Sequence, residues 1–123
     1  MTNEQKELKR KWIEALRSGK YEQTRLRLRK GENSYCCLGV LCEIGGSGVW
    51  ERFVEFEHEW YYRLGYQGAE NSYVEMPPSQ VLNAVGLAQA EADSLAFAND
   101  SGETFEQIAD RIEQNNYEVN RDY

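Results

Sequence analysis

The sequence predicts an α+β fold of about five helices around a buried central helix at residues 35–44, with a small, mostly antiparallel sheet. The central run YCCLGVLCEI is apolar on every side, as expected for a helix in the middle of a core. Four other segments carry apolar residues at helical spacing, and two stretches alternate like strands. At 123 residues the chain is long enough for one core, so a single domain over 1–123 is expected, with a frayed polar tail at 115–123.

The first and last helices carry the same N-terminal signal. Thr2 and Gln5 have the spacing of a capping box, and a helix is predicted over about residues 3–17. Thr104 and Gln107 repeat that spacing before a helix from residue 105 to about 114. The central helix follows Ser34, its predicted N-cap, and stops at two glycines.

Two further helices are predicted between these. Pro78 suits the first turn of a short helix, and Gly86 suits a left-handed cap at its end, with Leu87 placed to touch Leu82. Another short helix is expected over about 89–98. The segment Asn-Asp-Ser-Gly at 99–102 is a turn by composition.

Strict alternation predicts strands at 24–29 and 54–64. The first would place Leu26 and Leu28 inward and three arginines on the opposite face. The second would place aromatic residues and His58 on one face and glutamates on the other, with a partner strand over 72–75. The three arginines need an anionic partner, which is either this glutamate face or a phosphate-bearing ligand. His58 is expected to be a packed residue.

The charge distribution is uneven. Residues 1–30 hold ten Lys/Arg against four Glu, whereas residues 31–123 hold four Arg against seventeen Asp/Glu, giving the net charge of −7. An acidic body argues against general nucleic-acid binding, because phosphate contacts need cations. No apolar N-terminal segment indicates a signal peptide or membrane anchor, so a location in the cytoplasm is expected.

The sequence offers no recognisable catalytic or metal-binding motif. Cys36, Cys37 and Cys42 lie in the most apolar segment, which predicts buried structural thiols, and with one histidine they lack the spacing of a zinc site. We therefore expect no cofactor and no metal, and we favour a binding protein over an enzyme. The residues that could bind a ligand are arginines for phosphate, aromatic rings for a base, and a polar pair that either lines a pocket or only caps the turn. They are Arg25, Arg27, Arg29, Trp50, Trp60, Tyr62, Asn99 and Asp100.

Several motifs together resemble a known group of proteins. They are YCCLGVLC at 35–42, Lys-Tyr at 20–21, Met-Pro-Pro at 76–78, and NDSG at 99–102 followed by the F-x-x-IA-x-x-IE pattern that ends at Glu113. In these motifs the chain resembles small uncharacterised proteins of tailed phages and their bacterial hosts. The resemblance covers nearly the whole chain except residues 50–75. It implies a viral accessory protein that acts on the host, in the cytoplasm of the host cell, and it carries over no catalytic residue.

Three functions follow as hypotheses. The first is a phage protein that counters host defence by binding and sequestering a small nucleotide-type signal, and the second is an inhibitor that binds a host protein through its acidic surface. The third is a small hydrolase or transferase that uses Asp100 or His58. A homo-oligomer is compatible with each of them.

Overall fold

The computed structural model describes residues 1–46, 48–53, 59–64 and 72–119. Within this part of the chain it has five helices and six short strands, so the predicted α+β class is confirmed. The helices are α1 (Asn3–Arg17), α2 (Cys37–Gly45), α3 (Ser79–Asn83), α4 (Gln89–Asp100) and α5 (Phe105–Gln114). The strands are β1 (Glu22–Gln23), β2 (Arg29–Lys30), β3 (Ser34–Tyr35), β4 (Val49–Arg52), β5 (Trp60–Arg63) and β6 (Ser72–Tyr73).

Helix α2 lies at the centre, as predicted, and packs against α1, α3 and α4. Its residues 37–42 are all buried, and the indole N–H of Trp12 in α1 donates to the Cys37 carbonyl at 2.9 Å. The helix begins two residues later than expected, with Cys36 rather than Ser34 as its N-cap. The reason is that Tyr35 belongs to β3, where its backbone pairs with strands on both sides.

Capping boxes define the starts of α1 and α5, as predicted. Thr2 and Gln5 exchange their two hydrogen bonds at 2.8 and 3.0 Å, and Thr104 and Gln107 do so at 2.9 and 3.2 Å. The left-handed backbone of Gly86 (φ +66°) follows α3, and the Leu87 N–H donates to the Leu82 carbonyl at 2.9 Å.

Strands β1, β3 and β2 form one three-stranded sheet in that order, with β1 parallel and β2 antiparallel to β3. Strands β4, β5 and β6 form a second, antiparallel sheet. An isolated backbone bridge between Lys30 and Glu59 connects the edge of the first sheet to the start of β5. The sheets are therefore small and mostly antiparallel, as expected.

The predicted strand at 24–29 is wrong over most of its length. Only Arg29 belongs to a strand, and residues 25–28 form a bent segment, which we call the arginine loop (24–28). Leu28 is buried as expected, whereas Leu26 has a left-handed backbone (φ +69°) and a side chain that is 69% exposed. The loop does not pair as a strand because the Leu26 N–H bonds to a side chain of α4 and the Leu28 N–H bonds to the Val74 carbonyl.

Two other predictions have different outcomes. Helix α4 continues to Asp100, so the turn expected at 99–102 begins only at Ser101. The predicted strand at 54–64 is present as β5 in its second half, and residues 54–58, including His58, lie outside the described residues. Among the helices of the described chain, none is long and apolar enough to cross a membrane.

Candidate functional site

Asn99 links the core to the arginine loop. Its side chain is fully buried, and its Oδ1 accepts hydrogen bonds from the Cys37 N–H at 3.1 Å and from Gln23 Nε2 at 2.9 Å. Its Nδ2 donates to the Thr24 carbonyl at 2.8 Å. The Cys37 N–H belongs to the first turn of α2, where backbone donors have no partner within the helix. Asn99 therefore has a structural role, because its side chain satisfies buried backbone groups.

Asp100, the next residue of α4, determines the shape of the arginine loop. Its Oδ1 accepts the Leu26 N–H at 2.9 Å. A left-handed backbone costs a leucine roughly 1–2 kcal/mol, so this conformation persists only where the surroundings hold it. The hydrogen bond to Asp100 is such a constraint, and it leaves the leucine side chain pointing to solvent between two arginines.

A pocket of about 430 Å³ opens beside this loop, within the range of roughly 300–1,000 Å³ typical of small-molecule sites. We call it the loop pocket. Among the described residues it is lined by Leu26, Arg27, Cys36, Glu75, Met76, Ala96 and Asp100. Its wall thus combines three apolar side chains with two carboxylates, one guanidinium and one thiol. Two of the predicted ligand-binding residues, Arg27 and Asp100, meet here although they lie far apart in the sequence.

The thiol in this pocket is not an activated nucleophile. Cys36 is only 4% exposed, and its Sγ accepts the Gly39 N–H at 3.4 Å as the N-cap of α2. Burial, together with the nearby Asp100 carboxylate, raises the pKa of the Cys36 thiol to about 11. Burial likewise raises the pKa values of Cys37 and Cys42, and all three cysteines are free, so the prediction of buried structural thiols is confirmed.

The three predicted arginines occupy three different environments. Arg27 forms an ion pair with Glu59 at 3.3 Å, which is the internal pairing with the glutamate strand that the sequence allowed. Arg29 is enclosed by aromatic rings, with its guanidinium carbon 3.7 Å from the ring centre of Trp60 and 5.5 Å from that of Trp50. Arg25 is exposed and lines a different pocket, near the start of the loop.

The aromatic residues predicted to stack on a base are occupied by the protein itself. Arg29 takes the space next to Trp60 and Trp50, and Arg52 also lies over Trp60, at 4.6 Å from its ring centre. Tyr62 is 1% exposed, and its hydroxyl oxygen accepts the Gly48 N–H at 2.7 Å. The structure therefore does not bring these three rings and the loop arginines together in one pocket.

Sequence reasoning missed several residues that line the loop pocket, chiefly Leu26, Glu75 and Met76. The alternation of leucine and arginine is typical of a strand, and it predicts a core position for Leu26. The segment from Thr24 to Lys30 contains no glycine or asparagine that would favour a left-handed bend, so it gives no local sign of another outcome. The hydrogen bond that produces the bend comes from Asp100, far along the chain, and no local pattern reports it.

No metal-binding group of three or more His, Cys, Asp or Glu side chains occurs among the described residues. Comparison with curated proteins and with solved structures gave no match. A family model described as a domain of unknown function, DUF8296, matches residues 4–116, nearly the whole length of the sequence. The chain belongs to this family of unknown function.

Proposed function

We propose that this protein binds a small nucleotide-type ligand in the loop pocket and sequesters it, acting as a phage accessory protein against a nucleotide-signalled host defence. The observation that carries the proposal is the meeting of Arg27 and Asp100 in one pocket with apolar walls. The loop that forms its rim is held in a strained backbone conformation, and such strain is concentrated at binding sites.

The pocket chemistry suits a nucleotide in a definite orientation. The carboxylates of Asp100 and Glu75 can accept hydrogen bonds from the amino and ring N–H groups of a base. Asp100 has acceptor capacity left, because Oδ1 takes the Leu26 N–H and a longer bond of 3.3 Å from Asn99. Leu26 and Met76 provide apolar surface for the faces of the ring.

Arg27 would meet the phosphate. Its ion pair with Glu59 at 3.3 Å is a single contact with both side chains partly exposed, which contributes at most about 1 kcal/mol. A phosphate oxygen can replace that contact with a stronger, charge-assisted one. The two carboxylates in the pocket would repel a phosphate, so the base is assigned to the inner part and the phosphate to the rim.

The state of the Cys36 thiol argues against turnover that uses this thiol as the nucleophile. With a pKa of about 11, Cys36 is protonated at neutral pH, and the thiolate is the nucleophilic form. The alternative of an inhibitor with an acidic docking surface has less support, since part of that surface is neutralised internally. Arg17 contacts three carboxylates of α5, namely those of Glu106, Asp110 and Glu113.

Thermal unfolding with a panel of cyclic dinucleotides, ADP-ribose derivatives and mononucleotides tests the proposal. A ligand present at about 100 times its Kd stabilises the native state by about 2.7 kcal/mol, which raises Tm by roughly 10 °C for a domain of this size. Arg27→Ala and Asp100→Asn should reduce this shift. Asp100→Asn is informative because an asparagine oxygen can still accept the Leu26 N–H, so the loop keeps its shape while the charge is lost.

Arg10→Ala is the matched control, because it removes one exposed arginine that pairs with Glu7 and Glu14 on α1. It should leave the ligand shift unchanged. Mass spectrometry of small molecules released by boiling the purified protein identifies a ligand carried from cells. Absence of a shift with every compound in the panel, together with no released nucleotide, refutes the proposed function.

The host-directed part of the proposal has its own assay. Expression in bacteria that carry a cyclic-nucleotide-signalled defence should restore plaque formation by a sensitive phage, and Arg27→Ala should not. Equal plaque counts with wild type and empty vector, despite nucleotide binding in vitro, reject the anti-defence role and leave the binding role.

A further inference from the structure

A second pocket lies at the start of the arginine loop. It has a volume of about 450 Å³ and is lined, among the described residues, by Gln23, Thr24, Arg25 and Lys30. Two of these four side chains are cations and none is acidic. In a chain with a net charge of −7, the pocket takes both cations from the basic N-terminal segment of residues 1–30.

Among the described residues, both cations lack an ion-pair partner. Within the described chain, neither Arg25 nor Lys30 has a carboxylate oxygen within 4.0 Å. The other described arginines are engaged, because six form ion pairs and Arg29 stacks on aromatic rings. The bridge partner of Lys30, Glu59, directs its carboxylate to Arg27. Arg25 and Lys30 are thus available to an anion from outside.

Two of the lining residues, Gln23 and Thr24, are hydrogen-bonded to other segments of the chain. Gln23 uses its amide nitrogen for the side chain of Asn99 at 2.9 Å and for the Glu103 carbonyl at 2.7 Å. The Thr24 backbone donates to the Tyr35 carbonyl at 2.9 Å and accepts from Asn99 at 2.8 Å. The Gln23 side chain and the Thr24 backbone are therefore held in place next to Arg25 in the sequence. The Thr24 hydroxyl, which has no partner in the described structure, is a further donor.

From this geometry we propose that the Arg25–Lys30 pocket is a phosphate subsite. Arginine and lysine donors at one concave site, with a free hydroxyl beside them, match the oxygens of a phosphate group. The inference rests on the proposed function and narrows it. A nucleotide-type ligand with one phosphate at Arg27 and another at this subsite carries at least two phosphate groups, which is the class of dinucleotides and nucleoside polyphosphates.

Inorganic pyrophosphate is the direct probe, titrated into the full chain at low ionic strength and followed by calorimetry and amide chemical shifts. The largest shift changes are expected at residues 23–25 and 30. Lys30→Gln and Arg25→Gln should each weaken binding at least tenfold, because each removes one of two cations. Lys11→Gln, which removes an exposed charge on α1, is the matched control and should change the affinity less than twofold.

Both pocket variants change exposed side chains that have no ion-pair partner in the described parts of the chain, so their melting temperatures should match that of the wild type. Pyrophosphate affinity that is unchanged within twofold in both variants overturns the subsite. Nucleotide binding with equal affinity in wild type and Lys30→Gln also overturns it, and leaves the proposed function standing. Pyrophosphate binding that Lys30→Gln abolishes, with no nucleotide bound by the wild type, supports the subsite as a free-phosphate site and removes the nucleotide function.

Discussion

Truncation of Asn99 to alanine tests the hydrogen-bond arrangement on which both pockets depend. The change leaves the Cys37 N–H and the Thr24 carbonyl without their partner, and removes one of two acceptors from Gln23. Each buried polar group left unpaired costs about 1–3 kcal/mol, and the cavity left by a fully buried side chain adds to this. We therefore expect a loss of about 3–5 kcal/mol in the free energy of unfolding, a large part of the total stability of a domain.

Urea denaturation followed by circular dichroism measures this loss. Asn83→Ala is the matched control, because Asn83 is exposed on α3 and accepts hydrogen bonds from Gln5 Nε2 and the Gly86 N–H through its backbone carbonyl, which the substitution keeps. Its effect should stay within about 0.5 kcal/mol. A loss below about 1 kcal/mol for Asn99→Ala would show that the side chain does not satisfy these buried groups, and would refute the reasoning.

Asn99→Asp sharpens the test because it keeps the size of the side chain. A carboxylate cannot donate to the Thr24 carbonyl, and it would be a buried charge next to Asp100. Burial and the like charge both raise the pKa of the introduced carboxyl in the folded state. Its neutral form is therefore favoured by folding, so the stability of this variant relative to wild type should recover as the pH falls towards 4 and decline as the pH rises. A pH-independent difference would contradict this account.

Three further predictions concern the core and the loop. Gly39→Ala should lower the free energy of unfolding by several kcal/mol, because a Cβ at this position would lie 1.8 Å from the Leu28 carbonyl oxygen. Gly45→Ala, in the same helix, is the control. Its Cβ would meet the flexible end of the Leu8 side chain at 2.8 Å, so the loss measured by urea denaturation should be far smaller. The free energy of unfolding should fall as the pH rises from about 9 to 11, because the pKa of the Cys36 thiol is 9.0 in the unfolded chain and about 11 in the folded one. Cys36→Ser should remove on the order of 2–3 kcal/mol of that loss. Iodoacetamide at neutral pH should leave the native thiol unmodified, and rapid alkylation would refute its burial. Leu26→Asn should leave the stability unchanged or raise it by up to about 1 kcal/mol, because asparagine tolerates the left-handed backbone. The same variant should weaken nucleotide binding. Destabilisation beyond about 1 kcal/mol would contradict the strain assigned to this residue.

The sequence predicts best the elements whose signals are local. Thr2–Gln5 and Thr104–Gln107 define helix starts through contacts three residues apart, and both helices begin where the capping box places them. The composition of residues 35–44 predicts the central helix, but the predicted start lies two residues before the observed one. Cross-strand pairing of Tyr35 decides that boundary, and this pairing depends on distant segments.

The candidate site shows the opposite behaviour, because its geometry depends on contacts between residues far apart in the chain. The alternation of leucine and arginine at 24–29 satisfies a strand pattern, and no local feature shows that Asp100 will take the Leu26 N–H. Composition also predicted a turn at Asn99, yet the helix continues through it since its side chain bonds to three other segments instead of its own backbone. The sequence shows that these residues are polar, while the hydrogen bonds that each one makes could be assigned only from the fold.

The adjacent residues Asn99 and Asp100 differ in burial and therefore in structural role. Asn99 is fully buried and bonds to α2 and to Thr24, so losing it should affect the whole domain. Asp100 is half-buried, lines the loop pocket and bonds to Leu26, so losing it should affect mainly the loop. Because both lie on one turn of α4, the position of the loop pocket is tied directly to the core. A ligand that fits this pocket therefore binds against a rim that is already formed, and little of its binding energy is lost to ordering the loop.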